Sequence, residues 1–161
     1  GGPVRADDPL RPRRGRRAPD PRRGVFSRGL DLPAEAQLWD TASAATLVAH
    51  GPEAAGKQAP NGPERLELEQ CEPLPLIQHL AARGCNQVLW ECGSELAAAA
   101  IRQGCVQEVA AVLAPKLMGG VAARTPLGEL GFTAMDQVLC GQLLPPRPIG
   151  DDWLLSLRLG G

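Results

Sequence analysis

The sequence predicts an α/β domain with a mainly parallel sheet, flanking helices and antiparallel strands at its C-terminal end. Short apolar runs alternate with helical patterns through the middle of the chain, and two further apolar runs close it. Alternation of this kind favours parallel strands joined by right-handed crossovers. With 161 residues, 43% of them hydrophobic, the chain is large enough to bury a core as one domain.

The first half of the chain predicts short strands separated by turns. Residues 1–24 are rich in Arg and Pro, which predicts a poorly ordered start without a long helix. Leu32–Asp40 predicts one helical turn at most, and Gly51–Pro63 predicts a loop. Strands are predicted at three runs: Arg23–Ser27, Thr46–His50 and, as an edge strand, Leu66–Gln70.

The second half predicts two helices and four strands. Leu74–Arg83 has an apolar helical face and ends at Gly84, whereas Ser94–Gln103 opens with a serine N-cap and ends at Gly104. The last two strands flank a turn at Pro145–Gly150. The predicted strands are Gln87–Trp90, Val109–Leu113, Gln137–Leu144 and Trp153–Leu159, of which Gln87–Trp90 and Val109–Leu113 are expected to be buried.

The composition excludes several classes of function. No apolar run is long enough to span a membrane, and no secretory signal opens the chain. Aromatic residues make up only 3%, without Tyr, which argues against a surface that stacks nucleic-acid bases. We therefore expect a cytoplasmic protein without a membrane or nucleic-acid partner. Because the first residue is not Met, we expect a fragment or a processed form.

Basic residues concentrate at one end of the chain. Residues 1–30 hold nine of the 17 basic residues but only three of the 18 acidic ones. Such a block predicts a solvated or disordered arm, and the alternative is a segment that binds a polyanion or a phosphate.

The five cysteines predict free thiols rather than a metal site or a disulfide framework. Their number is odd, none forms a CxxC pair, and only two histidines accompany them. We expect no metal, and mostly buried thiols in a reducing cytosol.

The segment Val88–Ala99 carries the most chemical information. It begins with a predicted strand that has a glutamate at its carboxyl end. A glycine follows, and then a helix starts. Ligands bind at the carboxyl ends of parallel strands, and helix N-termini attract phosphates. Gly93 would let the backbone approach a pyrophosphate. The alternative is a tight turn with a helix cap.

Two weaker patterns flank this segment. Asp7 and Asp8 precede Pro9 in the motif VRADDPL, which by itself predicts a surface turn. Leu113–Gly120 holds Lys116 and two glycines, a pattern that fits an anion contact or an ordinary loop at a strand end.

The order of these motifs resembles the reductase domain of the bifunctional riboflavin biosynthesis protein RibD. The residues that carry the resemblance are ADDP, LPAEAQLWDTASAATLVAHG, WECG, APKL-x-GG and ARTPLGELGFTAMDQV, and they extend over nearly the whole chain. The family has a fold similar to dihydrofolate reductase. The resemblance implies NADPH-dependent reduction of 5-amino-6-(5-phosphoribosylamino)uracil to the ribitylamino product, by an enzyme that forms homo-oligomers.

The resemblance also implies site residues. Asp7 matches a residue that contacts the cofactor, and Glu91 matches one that contacts the substrate. Arg14 matches an arginine suited to the substrate phosphate, because its guanidinium makes paired, charge-assisted hydrogen bonds. Arg11 stands where the family has a Leu close to the substrate. The loop and helix start that hold the NADPH phosphates match Gly93, Ser94, Glu95, Leu96, Ala97, Ala98 and Ala99.

The chain departs from the family pattern at several positions. Pro3 replaces a Thr, and Glu95 stands in a phosphate loop that usually reads Gly-Pro-Thr, where it would repel a bound phosphate. The resemblance begins inside the reductase domain, so residues 1–161 are expected to be a partial domain without the deaminase domain or the first strand and helix. The alternatives are a non-catalytic remnant and a polyanion-binding module.

Overall fold

The computed structural model describes residues 22–42, 44–57 and 60–160, which form two compact regions. The first region comprises residues 22–93, and the second comprises residues 94–160. The expected poorly ordered start lies outside the described residues, except for residues 22–24.

The first region is built on a parallel sheet of three strands. Its elements are β1 (Arg23–Phe26), β2 (Thr46–His50), β3 (Glu64–Glu67) and helix α1 (Pro73–Ala82), with 3-10 turns at Gln37–Trp39 and Pro52–Ala54. β2 lies between β1 and β3 and pairs with both in parallel. The three strands therefore end at the same edge of the sheet.

Every residue of β2 is buried, because side chains cover both faces of the strand. Val48 faces a cluster with Val25 and Leu38. Leu47 and Ala49 face the opposite cluster, which contains Leu76 of α1. Alternate side chains of a strand point to opposite faces, so a run of five apolar or small residues fills two cores at once.

The Arg23 side chain stabilises the connection between β1 and β2. Its guanidinium donates hydrogen bonds to the backbone oxygens of Gln37, Asp40 and Ala44, the last at 2.9 Å. The Gln37 oxygen also accepts from the Asp40 amide, and the Ala44 oxygen also accepts from the Thr46 hydroxyl, both at 3.2 Å. Arg23 therefore adds to the hydrogen bonds of a connection that forms no ladder of its own.

The second region is built on an antiparallel sheet. Its elements are helix α2 (Ser94–Arg102), β4 (Glu108–Leu113), β5 (Gly141–Leu143), β6 (Arg147–Ile149) and β7 (Asp152–Leu159), with a 3-10 turn at Met135–Gln137. β7 pairs antiparallel with β4, β5 and β6. Pairing in register gives one sheet face an apolar composition: Val109, Ala111, Leu113, Leu143, Trp153, Leu155, Leu157 and Leu159.

Several predictions are confirmed. The structure has the α/β class with antiparallel strands in its last part, and β2 has the predicted bounds. Both helices end where glycines take a positive φ, 82° at Gly84 and 68° at Gly104. Glycine adopts this conformation without the steric cost that a Cβ would bring.

Other predictions are wrong, and each error concerns pairing. Gln87–Trp90 forms no strand, and its Leu89 is 76% exposed. Val109–Leu113 is a strand, but it pairs antiparallel and is largely exposed instead of lying buried in a parallel sheet. The predicted turn Pro145–Gly150 contains β6. The predicted edge strand Leu66–Gln70 begins and ends earlier, at Glu64–Glu67.

Candidate functional site

Glu91 lies in the extended segment that follows the first helix. Its neighbour Trp90 is partly buried against the core of the first region. Glu91 itself is exposed. The indole ring therefore anchors this segment, and Glu91 lies at the surface beside it.

Gly93 leaves open space beside the backbone at the end of this segment. A Cβ built at Gly93 would meet no atom within 4 Å, and the residue has no positive φ. The fold therefore does not require glycine at this position. The open space fits the close approach of a phosphate group to the backbone.

A loop of the second region fixes both ends of α2. The Gly128 amide donates to the Ser94 carbonyl oxygen at 3.0 Å, and the Arg102 guanidinium donates to the Glu129 carbonyl oxygen. A Cβ at Gly128 would lie 3.0 Å from the Ser94 oxygen and 3.3 Å from the Glu95 Cα. Only glycine therefore lets this loop approach the helix start without displacement.

The residues of α2 differ in what they could contribute to ligand binding. Glu95 is exposed in the first turn of α2. The helix dipole stabilises a carboxylate at this position, but the carboxylate repels a bound phosphate. Leu96, Ala97 and Ala99 are partly buried. Ala98 is only 1% exposed, so it serves packing rather than ligand contact. Glu95 therefore opposes the charge of a phosphate at the start of α2.

The remaining sequence candidates are Asp7, Arg11 and Arg14, which lie outside the described residues. Lys116 lies in an exposed loop after β4. The two glycines of that loop take positive φ values, 61° at Gly119 and 110° at Gly120, as expected of a turn. The structure therefore supplies no contact that assigns Lys116 a role.

The sequence analysis missed a cavity in the first region. It has a volume of about 240 Å³ and lies where β1, β2 and β3 end. The rule that ligands bind at the carboxyl ends of parallel strands led to the segment after Gln87–Trp90 and not to this edge, because the lining residues come from three loops that are separate in sequence. The lining residues are Arg28, Pro52, Glu53, Glu69, Gln70, Cys71 and Glu72.

None of the five cysteines belongs to a disulfide, but only Cys71 and Cys105 are buried. Burial raises the pKa of both thiols. Cys85 and Cys140 are exposed, so the expectation of mostly buried thiols is wrong. Among the described residues, no three His, Cys, Asp or Glu side chains lie close enough together to hold a metal ion. None of the described helices has the length and hydropathy needed to cross a membrane.

Sequence comparison finds one family along most of the chain. The profile of the RibD C-terminal domain matches residues 1–155. The riboflavin biosynthesis protein RibD of Synechocystis sp. is 49% identical over 166 residues, covering 100% of this chain and 45% of that protein. The chloroplastic riboflavin biosynthesis protein PYRR of Arabidopsis thaliana is 36% identical over 160 residues. That alignment covers 97% of this chain and 27% of the plant protein.

Comparison with solved structures gives related folds. Acinetobacter baumannii RibD superposes with a TM-score of 0.71 at 26% identity, over 88% of this chain and 38% of that one. A second structure is that of a diaminohydroxyphosphoribosylaminopyrimidine deaminase/5-amino-6-(5-phosphoribosylamino)uracil reductase of Thermotoga maritima. It superposes with a TM-score of 0.78 at 18% identity, and the alignment covers 99% of this chain and 43% of that one. This chain spans less than half the length of each of these relatives.

Proposed function

The chain belongs to the RibD C-terminal domain family, and on this premise we propose that it reduces 5-amino-6-(5-phosphoribosylamino)uracil to 5-amino-6-(5-phosphoribitylamino)uracil with NADPH. The single observation that carries the proposal is the family match over residues 1–155, which includes the Arg-rich start. The arginines therefore fall within the reductase match, which favours this function over a polyanion-binding module.

We assign the cofactor to the segment from Gly93 to Ala99, in which the buried Ala98 packs the helix, together with Asp7. NADPH supplies the hydride, and the protein supplies position and electrostatics. The open space beside Gly93 supports this assignment, because a diphosphate approaches a backbone most closely where no Cβ intervenes. The loop that contacts α2 through Gly128 keeps the helix start in place.

We assign the substrate to Glu91, Arg14 and Arg11. The exposed Glu91 carboxylate can accept hydrogen bonds from the substrate. Arg14 would bind the substrate phosphate through a bidentate, charge-assisted contact. We further propose that residues 1–161 act as one reductase domain, in the cytoplasm and as a homo-oligomer.

Calorimetric titration of the chain with NADPH and spectroscopic NADPH oxidation with the ribosylaminouracil phosphate test this function. We expect saturable binding and substrate-dependent oxidation. Gly93→Ala should keep the thermal stability, because nothing occupies the space around its Cβ, yet weaken NADPH binding about tenfold by blocking the diphosphate.

Arg14→Ala should raise KM for the substrate and leave NADPH binding unchanged. Arg13→Ala is the matched control, since it removes the same charge from the neighbouring position. A folded chain that neither binds nor oxidises NADPH would instead be the non-catalytic remnant of a reductase domain.

A further inference from the structure

The segment Gln87–Trp90 is an apolar run that forms no strand among the described residues, and it belongs to the same region as an open sheet edge. Its Val88 and Leu89 side chains are 37% and 76% exposed. Within the described part of the chain, β1 pairs with β2 alone, so its other edge carries no strand. Pairing the segment with this edge would bury the apolar run and complete the backbone hydrogen bonds of β1.

The backbone of β1 directs two residues at this open edge. The amides of Arg23 and Ser27 donate to backbone oxygens on the β2 side, at 2.9 and 3.0 Å. Successive residues of a strand direct their backbone groups to alternate sides, so Gly24 and Phe26 direct theirs away from β2. These two residues are therefore the positions at which a further parallel strand would pair.

Trp90 defines the register of such a strand. Trp90 and Phe26 both pack against the cluster that contains Leu76 of α1, so the end of the segment and the end of β1 share one core. A parallel strand that keeps this arrangement has Trp90 beside Phe26. Two residues earlier, Val88 then lies beside Gly24, where a Cβ would meet no atom within 4 Å and an apolar side chain therefore has room.

Leu89 is the side chain whose surroundings would change most in this register. Side chains alternate between the two faces of a strand, so Leu89 faces the side opposite to Trp90. On that side of β1 lies Val25, which is 8% exposed and belongs to the cluster with Leu38 and Val48. Leu89 would cover the open flank of this cluster and lose most of its present exposure.

We propose that Gln87–Trp90 docks onto β1 as a fourth parallel strand when NADPH binds, and that Leu89 is the positioning residue for this step. Parallel strands end at the same edge of a sheet, so docking brings Glu91 and Gly93 to the edge at which β1, β2 and β3 end. A ligand held by Glu91 and Gly93 at that edge favours the docked form, and docking raises its affinity in return. The inference rests on the proposed function, because it takes this segment to contact the ligands.

Hydrogen–deuterium exchange of the full chain, with and without NADPH, tests the docking. We expect the amides of Gly24 and Phe26 and the peptide that contains residues 87–90 to exchange about tenfold more slowly when NADPH is bound. Protection that is already present without NADPH, or NADPH binding without added protection, would overturn this inference and leave the proposed function standing. Failure of the wild type to bind NADPH would overturn both.

Calorimetric titration of Leu89 variants with NADPH tests the positioning role. Leu89→Ser should weaken binding about tenfold, because serine buries little apolar surface against Val25. Leu89→Val should keep the wild-type affinity, since valine is apolar and favours strands. Leu117→Ser is the matched control, because this leucine is fully exposed in the loop after β4 and its loss should leave binding unchanged.

Thermal melts of the free variants separate positioning from ordinary packing. Leu89→Ser without NADPH should melt like the wild type, because Leu89 is largely exposed before docking. A lower Tm of the free variant would mean that Leu89 is already buried in the unliganded chain, which would overturn the inference. Equal affinities of Leu89→Ser and the wild type for NADPH would overturn it as well.

Discussion

β2 and β4 are both short apolar strands, yet β2 is entirely buried and β4 is exposed at five of its six residues. β2 has a strand on each side, and side-chain clusters cover its two faces. β4 lies at the end of the strand order in its sheet and pairs with β7. Neighbouring elements, more than the strand's own composition, therefore decide how much of an apolar run is buried.

The two regions consequently depend on different forces. In the first region, burial of apolar side chains on both faces of a sheet supplies most of the stability. In the second region, ladder hydrogen bonds and cross-strand pairs on β7 contribute a larger share, because Val112 and Leu113 remain about 60% exposed. Paired substitutions in the two regions can test this difference.

The largest effect is expected in the central strand. Leu47→Ala removes a side chain that is 2% exposed and should lower the free energy of unfolding by about 2–5 kcal/mol. The matched change Val112→Ala, at a side chain 61% exposed, should cost about 0.5 kcal/mol or less. Urea unfolding of both variants measures the two values. A comparable loss in Val112→Ala would mean that the exposed sheet is covered in solution, and the contrast between the regions would disappear.

A smaller effect is expected where a loop of the second region approaches the start of α2. Gly128→Ala places a Cβ 3.0 Å from the Ser94 carbonyl oxygen, so the loop must shift, at a cost of about 1–3 kcal/mol. Gly24→Ala in β1 is the control, since its Cβ meets nothing within 4 Å and alanine favours a strand interior over glycine. Thermal denaturation should show a lower Tm for Gly128→Ala only. Equal behaviour of the two variants would show that the loop does not restrain α2.

The smallest effect concerns pH and the surface of the first region. The hydrogen bond from the Arg83 guanidinium holds the pKa of the Glu64 carboxyl below its usual value, and Arg22 adds to this effect. A depressed pKa in the folded state stabilises the protein above the ordinary glutamate pKa, and this contribution is lost as the pH falls through the folded pKa.

Glu64→Gln should therefore be less stable than the wild type at neutral pH and equal to it in acid, below the folded pKa of Glu64. Urea unfolding at a series of pH values measures the difference. The control is Glu67→Gln, three residues along the same chain segment, which should track the wild type. A stability difference for Glu64→Gln that is independent of pH would show that the ion pair does not contribute through charge.

The sequence predicted the positions of helices and strands better than it predicted which strands pair. Thr46–His50 was predicted with its observed bounds, and the glycines that end both helices were identified, because both signals are local. Gln87–Trp90 has the same apolar character but forms no ladder within the described part of the chain. Strand pairing depends on residues distant in sequence, so a strand-like run does not reveal whether a partner exists.

In the candidate site, too, the sequence did not reveal contacts between residues that are distant in sequence. The motifs predicted the family, which the profile match confirms, and they selected the segment from Glu91 to Ala99, whose roles stay predictions. They did not reveal the cavity at the ends of β1, β2 and β3, because its lining residues are distant in sequence and meet only when the three strands align. The Ser94–Gly128 contact was missed for the same reason.

The dependence of β4, β5 and β6 on β7 has a consequence for synthesis of the chain on the ribosome. β7 follows the other three strands in sequence and provides the antiparallel partner of each. Until it emerges from the exit tunnel, these strands have no ladder, whereas the parallel sheet of the first region can already assemble. The apolar side chains of β4 and β5 are therefore exposed outside any sheet for the whole of this interval, when transient hydrophobic surface favours aggregation and chaperone binding.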